Sequence, residues 1–347
     1  MKVQSKPQIL IVSNPDDETT RVVAEKIRKL SGLVAVVHPE DSGDRLLAAM
    51  KMSSGCMAFR EYIRIDGTEF DLSSLHSVWY RRPRTPAFPA LNPEERGFAI
   101  EEWSSFWRSL YGVIEPKFWV SDPRRLQDAA RKSVQAAIAV KVGFRIPNTL
   151  VTNDPAKAIA FYEEFEGRVV AKSTGTGWME AEGGQVTCFL TNRVSADDIR
   201  DASALKVCPV TLQEEIAKEH EVRVNVVGHR VLAVKIESQR SPISELDWRR
   251  YDIASTPYSA VVLPEEVADR CREITFRLGL NFGAIDLIRT PDGEYVSWRS
   301  MGMVSSFGPN RCRASISVGP LLSFSLACMS LCVRVAFFGK GSESNAK

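Results

Sequence analysis

The sequence predicts an α/β protein that begins with an open-sheet domain and continues into further domains of mixed α+β composition. The first observation is a short β-branched run, Ile9 to Ser13, followed by a polar loop and a helical pattern from Thr19 to Leu30. This order of strand, loop and helix is typical of the start of an open α/β domain. The second observation is length, because 347 residues usually divide into two or three domains.

Composition narrows the class of protein further. With 45 Lys and Arg against 43 Asp and Glu, the formal net charge is +2, and 44% of the residues are hydrophobic. These values are ordinary for a globular protein and exclude a disordered chain, a collagen-like repeat and a disulfide-stapled miniprotein. We expect no nucleic acid as a partner, because binding through bulk charge needs a strongly basic protein.

Cysteines and apolar segments predict the compartment. The seven cysteines include no C-x-x-C pair, which indicates free thiols in a reducing environment. The apolar run near the N-terminus is too short for a signal peptide. The stretch from Gly319 to Gly339 is interrupted by serines, cysteines and Arg334, which argues against a membrane-spanning helix. We therefore expect a cytoplasmic protein with no membrane contact.

Element patterns place the domain boundaries. Strand-like runs and a helical stretch, Pro93 to Tyr111, fill the first domain. Asp122 as N-cap and Pro123 at the first helical position then predict one helix from Arg124 to Val142, which Gly143 ends. The expected domains are an N-terminal α/β domain at 1–120, a central subdomain with a glycine-rich loop at 121–205, a C-terminal subdomain at 206–296 and an atypical tail at 297–347.

The strongest chemical signal is a lysine at the end of a β-branched strand, V-V-A-K-S-T-G-T-G, with Lys172 at its centre. Glycines in the loop from Ser173 to Gly177 let backbone N–H groups approach phosphate oxygens, and the lysine supplies the opposing charge. The loop is not a Walker A motif, because the Gly-Lys-Ser/Thr order is absent. Taken alone, the pattern fits a surface hairpin with a solvated lysine equally well.

A second signal lies in the run E-V-R-V-N-V-V-G. Glu221 and Arg223 stand two residues apart, so in a strand they point to the same face. An acid and an arginine aimed into one cleft suit a ribose hydroxyl and a phosphate. The alternative is a salt bridge on a solvent-facing side of the sheet, which is the commoner fate of such a pair.

The order of these motifs resembles that of the ATP-grasp ligases. Lys132 in a helix is followed by G-F-R-I-P-N-T-L-V-T, the loop after Lys172, Q-E-E-I, E-V-R-V-N-V-V-G and A-I-D-L. Three further runs, S-V-W-Y-R-R-P, S-Q-R-S and D-W-R-R-Y-D, make the chain look like the microviridin-type ligases that cross-link ribosomal peptides, the graspetide synthetases. The resemblance extends from about residue 8 to Val296.

That resemblance implies an ATP-grasp fold with an N-terminal pre-ATP-grasp open-sheet domain and with ATP bound between the two later subdomains. It also implies roles for individual residues. The residues contacting or covering the phosphates would be Lys132, Lys172, Ser173, Gly175 and Gly177. The adenine-binding linker would comprise Gln213, Glu214, Glu215 and Ile216, with Glu221 near the ribose. The catalytic arginines would be Arg223 and Arg240, and the Mg²⁺ ligand would be Asp286. The residues contacting the peptide would be Arg81, Arg82, Asp247, Trp248 and Arg249. For Arg81 and Arg82, a structural turn with solvated arginines is the alternative.

The implied reaction uses ATP and Mg²⁺ as cofactors. A carboxylate of the substrate attacks the γ-phosphate, and the acyl phosphate is captured by a Ser or Thr hydroxyl or a Lys amine of a bound ribosomal precursor peptide, which gives an ester or an amide. A homodimer would be unsurprising for such a family. Two other functions remain open at this stage. One is a ligase that adds amino acids to a protein or small molecule, and the other is an inactive protein that binds ATP or peptide.

The resemblance breaks after residue 296. An ATP-grasp strand at this point typically reads L-E-I-N and supplies metal ligands, but Arg299 and Met301 stand in the places of the Glu and Asn. A cation and a thioether are poor ligands for Mg²⁺, which prefers oxygen. Residues 297–347 also contain 11 Ser, three Cys, no Asp and one Glu, against six Lys and Arg. The tail therefore differs in composition from the rest of the chain.

A frame change would account for the tail. Codons for Val296 to Phe307 can be chosen so that the shifted frame reads Phe-Leu-Glu-Ile-Asn-Gly-Asn-Gly-Gln-Phe-Leu. Trp298, Met301 and Met303 have single codons, so the two glycines are forced. We therefore hypothesise that the tail from about Ser297 is translated out of frame. The alternative is a divergent tail that is read in frame.

Overall fold

The computed structural model describes residues 9–299, apart from 31, 44, 55–59, 74, 117, 176, 181–185 and 251–254. Met301 and nearly all of the predicted tail lie outside these residues. The described residues fall into two compact units, one formed by 9–126 with 280–282 and the other by 127–279 with 283–299. Within the described part of the chain, no helix is long and apolar enough to cross a membrane.

The N-terminal unit contains an open parallel sheet with helices and a smaller antiparallel sheet. Its elements are β1 (Ile9–Val12), α1 (Glu18–Lys29), β2 (Val34–Val37), β3 (Leu46–Lys51), β4 (Arg60–Ile65), β5 (Thr68–Asp71), β6 (Ser77–Tyr80), α2 (Pro93–Val113) and β7 (Phe118–Val120). The four parallel strands lie in the order β2-β1-β6-β7, and β3, β4 and β5 pair antiparallel. All four residues of β1 are buried, as expected for a central strand with both faces covered.

The two longest helices of this unit supply apolar side chains to two separate clusters. The α1 side chains Val23, Ala24 and Ile27 pack with Ile9 and Ile11 of β1. Aromatic and aliphatic residues of α2, including Trp107, pack with Leu10 and Val12, which point to the opposite face of the strand. The open-sheet expectation for the start of the chain is therefore confirmed.

The second unit contains a four-stranded antiparallel sheet, a five-stranded sheet and a short two-stranded ribbon. Its elements are α4 (Lys132–Lys141), β8 (Thr149–Thr152), α5 (Pro155–Glu164), β9 (Val169–Lys172), β10 (Trp178–Glu180), β11 (Val186–Cys188), β12 (Asn192–Arg193), α6 (Ala196–Arg200), α7 (Ala202–Val207), β13 (Val210–Glu214), β14 (His220–Val227), β15 (Arg230–Ile236), β16 (Tyr258–Val261), α8 (Glu265–Arg277), β17 (Phe282–Arg289) and β18 (Tyr295–Arg299); the preceding α3 (Pro123–Ala129) leads into it. The sheet orders are β12-β9-β13-β8 and β16-β15-β14-β17-β18, and β10 pairs with β11.

The single helix predicted over 124–142 is wrong, because the structure has two helices, α3 and α4. The break falls at residues 130 and 131, where Arg131 adopts an extended backbone and occupies the N-cap position of α4. The buried Gln135 side chain donates a hydrogen bond to the Ala129 carbonyl at the end of α3. This side-chain bond satisfies a carbonyl that the broken helix leaves open. The break makes Lys132 the first residue of α4.

The pairing of β17 with β18 is irregular at one place. Asp286 lies opposite Arg299, whereas Leu287 lies opposite Ser297, so Trp298 is an extra residue on β18. A bulge of this kind interrupts the ladder and changes the direction of a side chain. Trp298 therefore stands at the position where the last described strand departs from regular pairing.

Candidate functional site

A cavity of about 260 Å³ lies within the second unit. It is bounded by the start of α4, by β8, by the end of β9 and its following loop, by β13 and by β18. Four residues predicted to bind nucleotide line it, namely Lys132, Lys172, Ser173 and Gln213. The other residues used below that line it are Thr149, Thr191, Ser297 and Trp298. The predicted phosphate lysines therefore meet at one cavity, although 40 positions separate them in sequence.

The glycine-rich loop closes around the Lys132 ammonium group. Lys132 Nζ donates to the Ser173 carbonyl, to Ser173 Oγ at 3.2 Å and to the Gly175 carbonyl at 2.8 Å. Because the break between α3 and α4 places Lys132 at a helix start, its side chain reaches the loop that follows β9. The lysine and the loop form one contact region.

The two glycines that the structure describes in this loop differ in their need for glycine. Gly177 has φ +78, and a Cβ there would lie 2.7 Å from Ser173 Oγ and 2.9 Å from the Phe189 carbonyl. Both the backbone angle and the space exclude a larger residue. Gly175 has no atom within 4 Å of such a Cβ. Gly177 is therefore fixed by the fold of the loop, and Gly175 is not.

Lys172 ends β9 and is surrounded by groups from two other strands. Its ammonium donates to Gln213 Oε1 on β13 and lies 3.4 Å from the Trp298 carbonyl oxygen. Gln213 Nε2 in turn donates to Thr149 Oγ1 at 2.9 Å. The antiparallel pairing of β9 with β13 brings Lys172 and Gln213 to the same wall of the cavity.

The predicted adenine linker continues from β13, and its two acids hold neighbouring segments. Glu214 accepts from the Asn148 side chain at 2.8 Å, and Glu215 pairs with Arg193 at 2.8 Å. Ile216 is 8% exposed and belongs to a buried cluster. The other members of that cluster are Ile288, Val296 and Trp298. The linker thus has two acids in ion pairs or hydrogen bonds and one apolar side chain turned into the core.

Glu221 is a fully buried acid on β14. Lys218 Nζ donates to its Oε1 at 2.8 Å and Ser238 Oγ does so at 3.2 Å, while Oε2 has no hydrogen-bond partner among the described residues. Burial raises the pKa of Glu221 to about 7, with Lys218 acting in the opposite direction and the negative charges of Asp247 and Asp286 adding to the rise. Sequence reasoning missed Lys218, although its place three residues before Glu221 was a usable signal.

Arg223 and Asp286 form an ion pair between β14 and β17, with Arg223 Nη1 donating to Asp286 Oδ1 at 2.8 Å. Asp286 Oδ2 is buried and has no hydrogen-bond partner among the described residues. An unsatisfied carboxylate oxygen of this kind suits a cation. Among the residues that the structure describes, no group of three or more His, Cys, Asp or Glu could hold a metal ion.

The described residues therefore offer few ligands for Mg²⁺. Mg²⁺ is usually held by one or two carboxylates together with substrate phosphates and water. Asp286 can supply one such ligand, which fits Mg²⁺ that arrives with a nucleotide. The residue opposite Asp286 in the strand register is Arg299, where an acid was expected. Position 299 therefore supplies no second carboxylate ligand.

The remaining predicted residues of this unit occupy different settings. Arg240 ends a short 3₁₀ turn and is exposed. Asp247 is fully buried and accepts from Thr191 Oγ1 at 2.9 Å. Trp248 is 7% exposed, and its ring lies 5.9 Å from the Arg223 guanidinium carbon. The side chain of Arg249 lies outside the described residues. The structure thus brings Asp247 and Trp248 close to the Glu221 and Arg223 region, and leaves Arg240 at the surface.

Arg81 and Arg82 belong to the N-terminal unit and differ in burial. Arg81 is 8% exposed, and its Nε lies 3.2 Å from Asp17 Oδ2, whereas Arg82 is exposed. Burial raises the pKa of Asp17, but the charges of Arg81 and Arg82 and hydrogen bonds from two hydroxyl groups outweigh it, and the net pKa lies below its usual value. Arg81 therefore has a structural partner inside its own unit.

No family model and no curated protein matches the chain. A RiPP-associated ATP-grasp ligase from Chryseobacterium gregarium, solved with ADP and a leader and core peptide, is 26% identical with a TM-score of 0.78 over 85% of this chain and 88% of that one. The macrocyclase MdnC from Microcystis aeruginosa MRC, bound with the precursor peptide MdnA, is 22% identical with a TM-score of 0.79 over 94% and 98%. The ATP-grasp ligase PsnB, complexed with minimal precursor, Mg and ADP, is 22% identical with a TM-score of 0.67 over 95% and 99%.

The chain has the ATP-grasp fold. The predicted α+β ATP-grasp fold and the likeness to graspetide-type ligases are confirmed. The expected cofactors, ATP and Mg²⁺, agree with the ADP and Mg in the complexes of its structural neighbours. The residues present fit a nucleotide, because two lysines and a glycine loop converge on one cavity beside the linker.

Proposed function

We propose that this ATP-grasp protein is an ATP-dependent carboxylate ligase that acts on a ribosomal precursor peptide. The observation that carries the proposal is the convergence of Lys132 and Lys172 on one cavity, with the Arg223–Asp286 pair in the same unit. Two cations at a phosphate cavity can neutralise the charge of a transferring phosphoryl group. The peptide partner is supported by the likeness to ligases solved with leader, core or precursor peptides.

The proposed reaction has two steps. A side-chain carboxylate oxygen of an Asp or Glu in the peptide attacks the γ-phosphorus of ATP, the bond to the β-phosphate oxygen breaks, and ADP leaves. A Ser or Thr hydroxyl or a Lys amine of the peptide then attacks the acyl carbon and loses its proton, and inorganic phosphate leaves. Each ester or amide link therefore removes one water from the peptide.

The residues of the chain have separable tasks in this scheme. Lys132 and Lys172 bind the nucleotide phosphates, and the loop after Lys172 covers them. Arg223 orients Asp286 and faces the carboxylate that is activated, and Asp286 would hold Mg²⁺, which shields phosphate charge when bound. Glu221 holds Lys218, whose ammonium group lies 4.5 Å from the centre of the Trp298 ring. We place this reaction in the cytoplasm, where a ribosomal peptide and ATP are both present.

The test of the nucleotide site compares two lysine variants. ADP binding is measured by calorimetry on the unchanged protein, on Lys172→Ala and on Lys157→Ala, which removes an exposed lysine of α5 in the same unit. Loss of a charge-assisted contact to phosphate should weaken ADP binding about 10- to 100-fold in Lys172→Ala. Binding by Lys157→Ala should be unchanged. Equal affinity in all three proteins would show that Lys172 does not bind nucleotide.

The test of ligation uses mass spectrometry. A synthetic peptide rich in Asp, Glu, Ser and Thr is incubated with the protein, ATP and Mg²⁺, and the peptide should lose one water per link. Loss of water that persists without ATP, or that proceeds as fast in Lys172→Ala as in the unchanged protein at limiting ATP, would contradict the proposal. A peptide that gains the mass of an amino acid would instead identify an amino-acid ligase.

A second candidate function, nucleotide binding without catalysis, is favoured by one observation. Arg299 stands opposite Asp286 in the register of β17 and β18, where the resemblance implies an acidic metal ligand. A protein of this kind would bind ADP in the calorimetric test but release no phosphate from ATP when the peptide is present. Phosphate release that depends on the peptide would reject this second function.

A further inference from the structure

Trp298 lies in the candidate nucleotide site and fills part of it. We infer that the indole of Trp298 occupies the place of the nucleotide base, so that a nucleotide must displace this side chain in order to bind. The inference rests on the proposed function, because it concerns the same cavity. Trp298 thereby lowers the affinity of the site for a nucleotide.

The surroundings of the indole are those of a base-binding pocket. Trp298 is 6% exposed and packs with Ile216, Ile288 and Val296. Ile216 belongs to the linker predicted to bind adenine, and Trp298 also lines the cavity that holds the two phosphate lysines. A flat aromatic ring among aliphatic side chains beside this linker is in the environment that a purine ring would take. The pocket is thus already filled by a side chain of the protein.

The same ring engages the lysine that the nucleotide needs. Lys172 Nζ lies 4.1 Å from the centre of the Trp298 ring, and Lys218 Nζ lies 4.5 Å from it. Both distances are well inside the range of about 6 Å in which an ammonium group is attracted to an aromatic face. Lys172 Nζ also lies 3.4 Å from the Trp298 carbonyl oxygen. A phosphate that binds Lys172 must compete with these contacts.

Two features indicate that the indole can be displaced. Its Nε1 is buried and has no hydrogen-bond partner among the described residues, so the closed arrangement leaves one polar group unsatisfied. Trp298 is also the extra residue at the irregular pairing of β17 with β18. The extra residue of such an irregularity is left outside the regular ladder of hydrogen bonds.

The frame hypothesis indicates which residue would stand at position 298 in place of tryptophan. In the shifted frame that yields L-E-I-N, leucine occupies position 298. Leucine has no ring for Lys172 or Lys218 to approach, and it is shorter than tryptophan. Replacement of Trp298 by leucine is therefore the substitution that should open the base pocket without removing its apolar lining.

The experiment measures ADP binding in the presence of EDTA, so that metal ligands do not contribute. Calorimetry compares the unchanged protein with Trp298→Leu and Trp298→Met, and with Trp103→Leu, which replaces a half-buried tryptophan of α2 in the N-terminal unit. Circular dichroism verifies that each variant is folded, and methionine serves as the second variant because it fills irregular space without a ring. Both variants at position 298 should bind ADP roughly tenfold more tightly, and Trp103→Leu should not.

A second readout follows the indole itself. In the unchanged protein, ADP should shift tryptophan emission to longer wavelength as the Trp298 ring moves from a buried to a wet setting. This shift should be absent in Trp298→Met. Equal ADP affinity in the unchanged protein and both variants, or weaker binding in the variants, would overturn the inference, and weaker binding would mean that the indole stacks on the base.

The outcomes separate this inference from the proposed function. If the unchanged protein and the variants at Trp298 and Trp103 bind ADP equally while Lys172→Ala binds it more weakly, the nucleotide site stands and Trp298 is not an occupant of it. If no variant binds ADP, both the nucleotide site and the role of Trp298 are rejected. If Trp298→Leu gains affinity and loses it again when combined with Lys172→Ala, both are supported.

Discussion

Glu221 is an acid held away from water, with Lys218 as its partner at 2.8 Å. Its burial raises its pKa to about 7 from the usual value of 4.5. Between these two values the folded protein holds a proton that the unfolded chain has already released. The stability that this proton contributes is complete below the unfolded value and is lost as the pH rises through about 7.

We therefore predict that stability falls with rising pH and that Glu221→Gln reduces this fall. Between about pH 5 and pH 8, the free energy of unfolding of the unchanged protein should drop by up to roughly 3 kcal/mol more than that of the variant. Urea unfolding at several pH values measures the two slopes. Glu163→Gln, at an exposed site on α5, is the control and should follow the unchanged protein. Parallel slopes for the unchanged protein and Glu221→Gln would show that Glu221 does not titrate in this range.

Arg81 and Arg82 are neighbours in sequence with opposite environments. Arg81→Ala would leave the buried Asp17 carboxylate without its arginine, and removing one member of a buried pair costs about 3–5 kcal/mol. Arg82→Ala should change stability by less than about 0.5 kcal/mol, because Arg82 is exposed. Hydrogen exchange of the β1 and β6 amides measures both effects in the N-terminal unit. If Arg82→Ala destabilised these strands as much as Arg81→Ala, both arginines would be structural.

Several site residues could be predicted from the sequence because their neighbours in the chain carry the signal. Lys172 ends a β-branched strand before glycines, and Glu221 and Arg223 alternate along a strand. Trp298 could not be predicted as part of the site, since its contacts with Ile216 and Lys218 join residues more than 70 positions apart. The burial of Arg81 was equally hidden, because Asp17 lies on another element.

At the scale of elements, strands were predicted better than helix breaks. β14 alternates polar residues with valines, β17 is mostly apolar, and nearly all residues of both strands are buried, so their sequence patterns predict them. At the boundary between α3 and α4, the Gln135 side chain donates a hydrogen bond to the Ala129 carbonyl. Helix propensity runs through this segment without interruption, so propensity alone does not predict the break.

The loop after β9 offers a matched pair of substitutions. Gly177→Ala would place a Cβ at 2.7 Å from Ser173 Oγ with the backbone at φ +78, whereas Gly175→Ala would meet no atom within 4 Å. We expect Gly177→Ala to destabilise the loop by about 1–3 kcal/mol and Gly175→Ala to be nearly neutral. Limited proteolysis of the loop and thermal unfolding measure the two effects. Equal protease sensitivity in both variants would contradict the role assigned to Gly177.

At the scale of the whole molecule, the frame hypothesis predicts that a small change restores the metal site. A variant carrying Trp298→Leu, Arg299→Glu and Met301→Asn returns two oxygen ligands and replaces the arginine that pairs with Asp286 in the strand register. Its affinity for ATP in Mg²⁺ should exceed its affinity in EDTA by about tenfold or more. Trp298→Leu alone should show a smaller dependence on Mg²⁺, which calorimetry with both proteins measures.

The same comparison shows whether the unchanged protein binds ATP with Mg²⁺. Equal, Mg²⁺-dependent binding in the unchanged protein and the triple variant would mean that Asp286 suffices and that the tail does not disable the site. Resequencing the gene across Ser297 is the direct check, because a gene with no available frame for L-E-I-N would end the frame hypothesis. The structural neighbours match 85% or more of this chain, so the comparison concerns nearly the whole fold.

The contact between Lys132 and its loop also bears on how fast and how readily a phosphate can bind. An ammonium group in water must shed its hydration shell before it can touch an anion, and this dehydration opposes binding. The half-buried Lys132 already has the oxygens of Ser173 and Gly175 as partners, which take the places of part of its hydration shell. An arriving phosphate therefore replaces neutral carbonyl and hydroxyl groups, which water solvates easily once they are released. The loop therefore keeps Lys132 partly dehydrated before a phosphate arrives, and the phosphate replaces the loop oxygens when it binds.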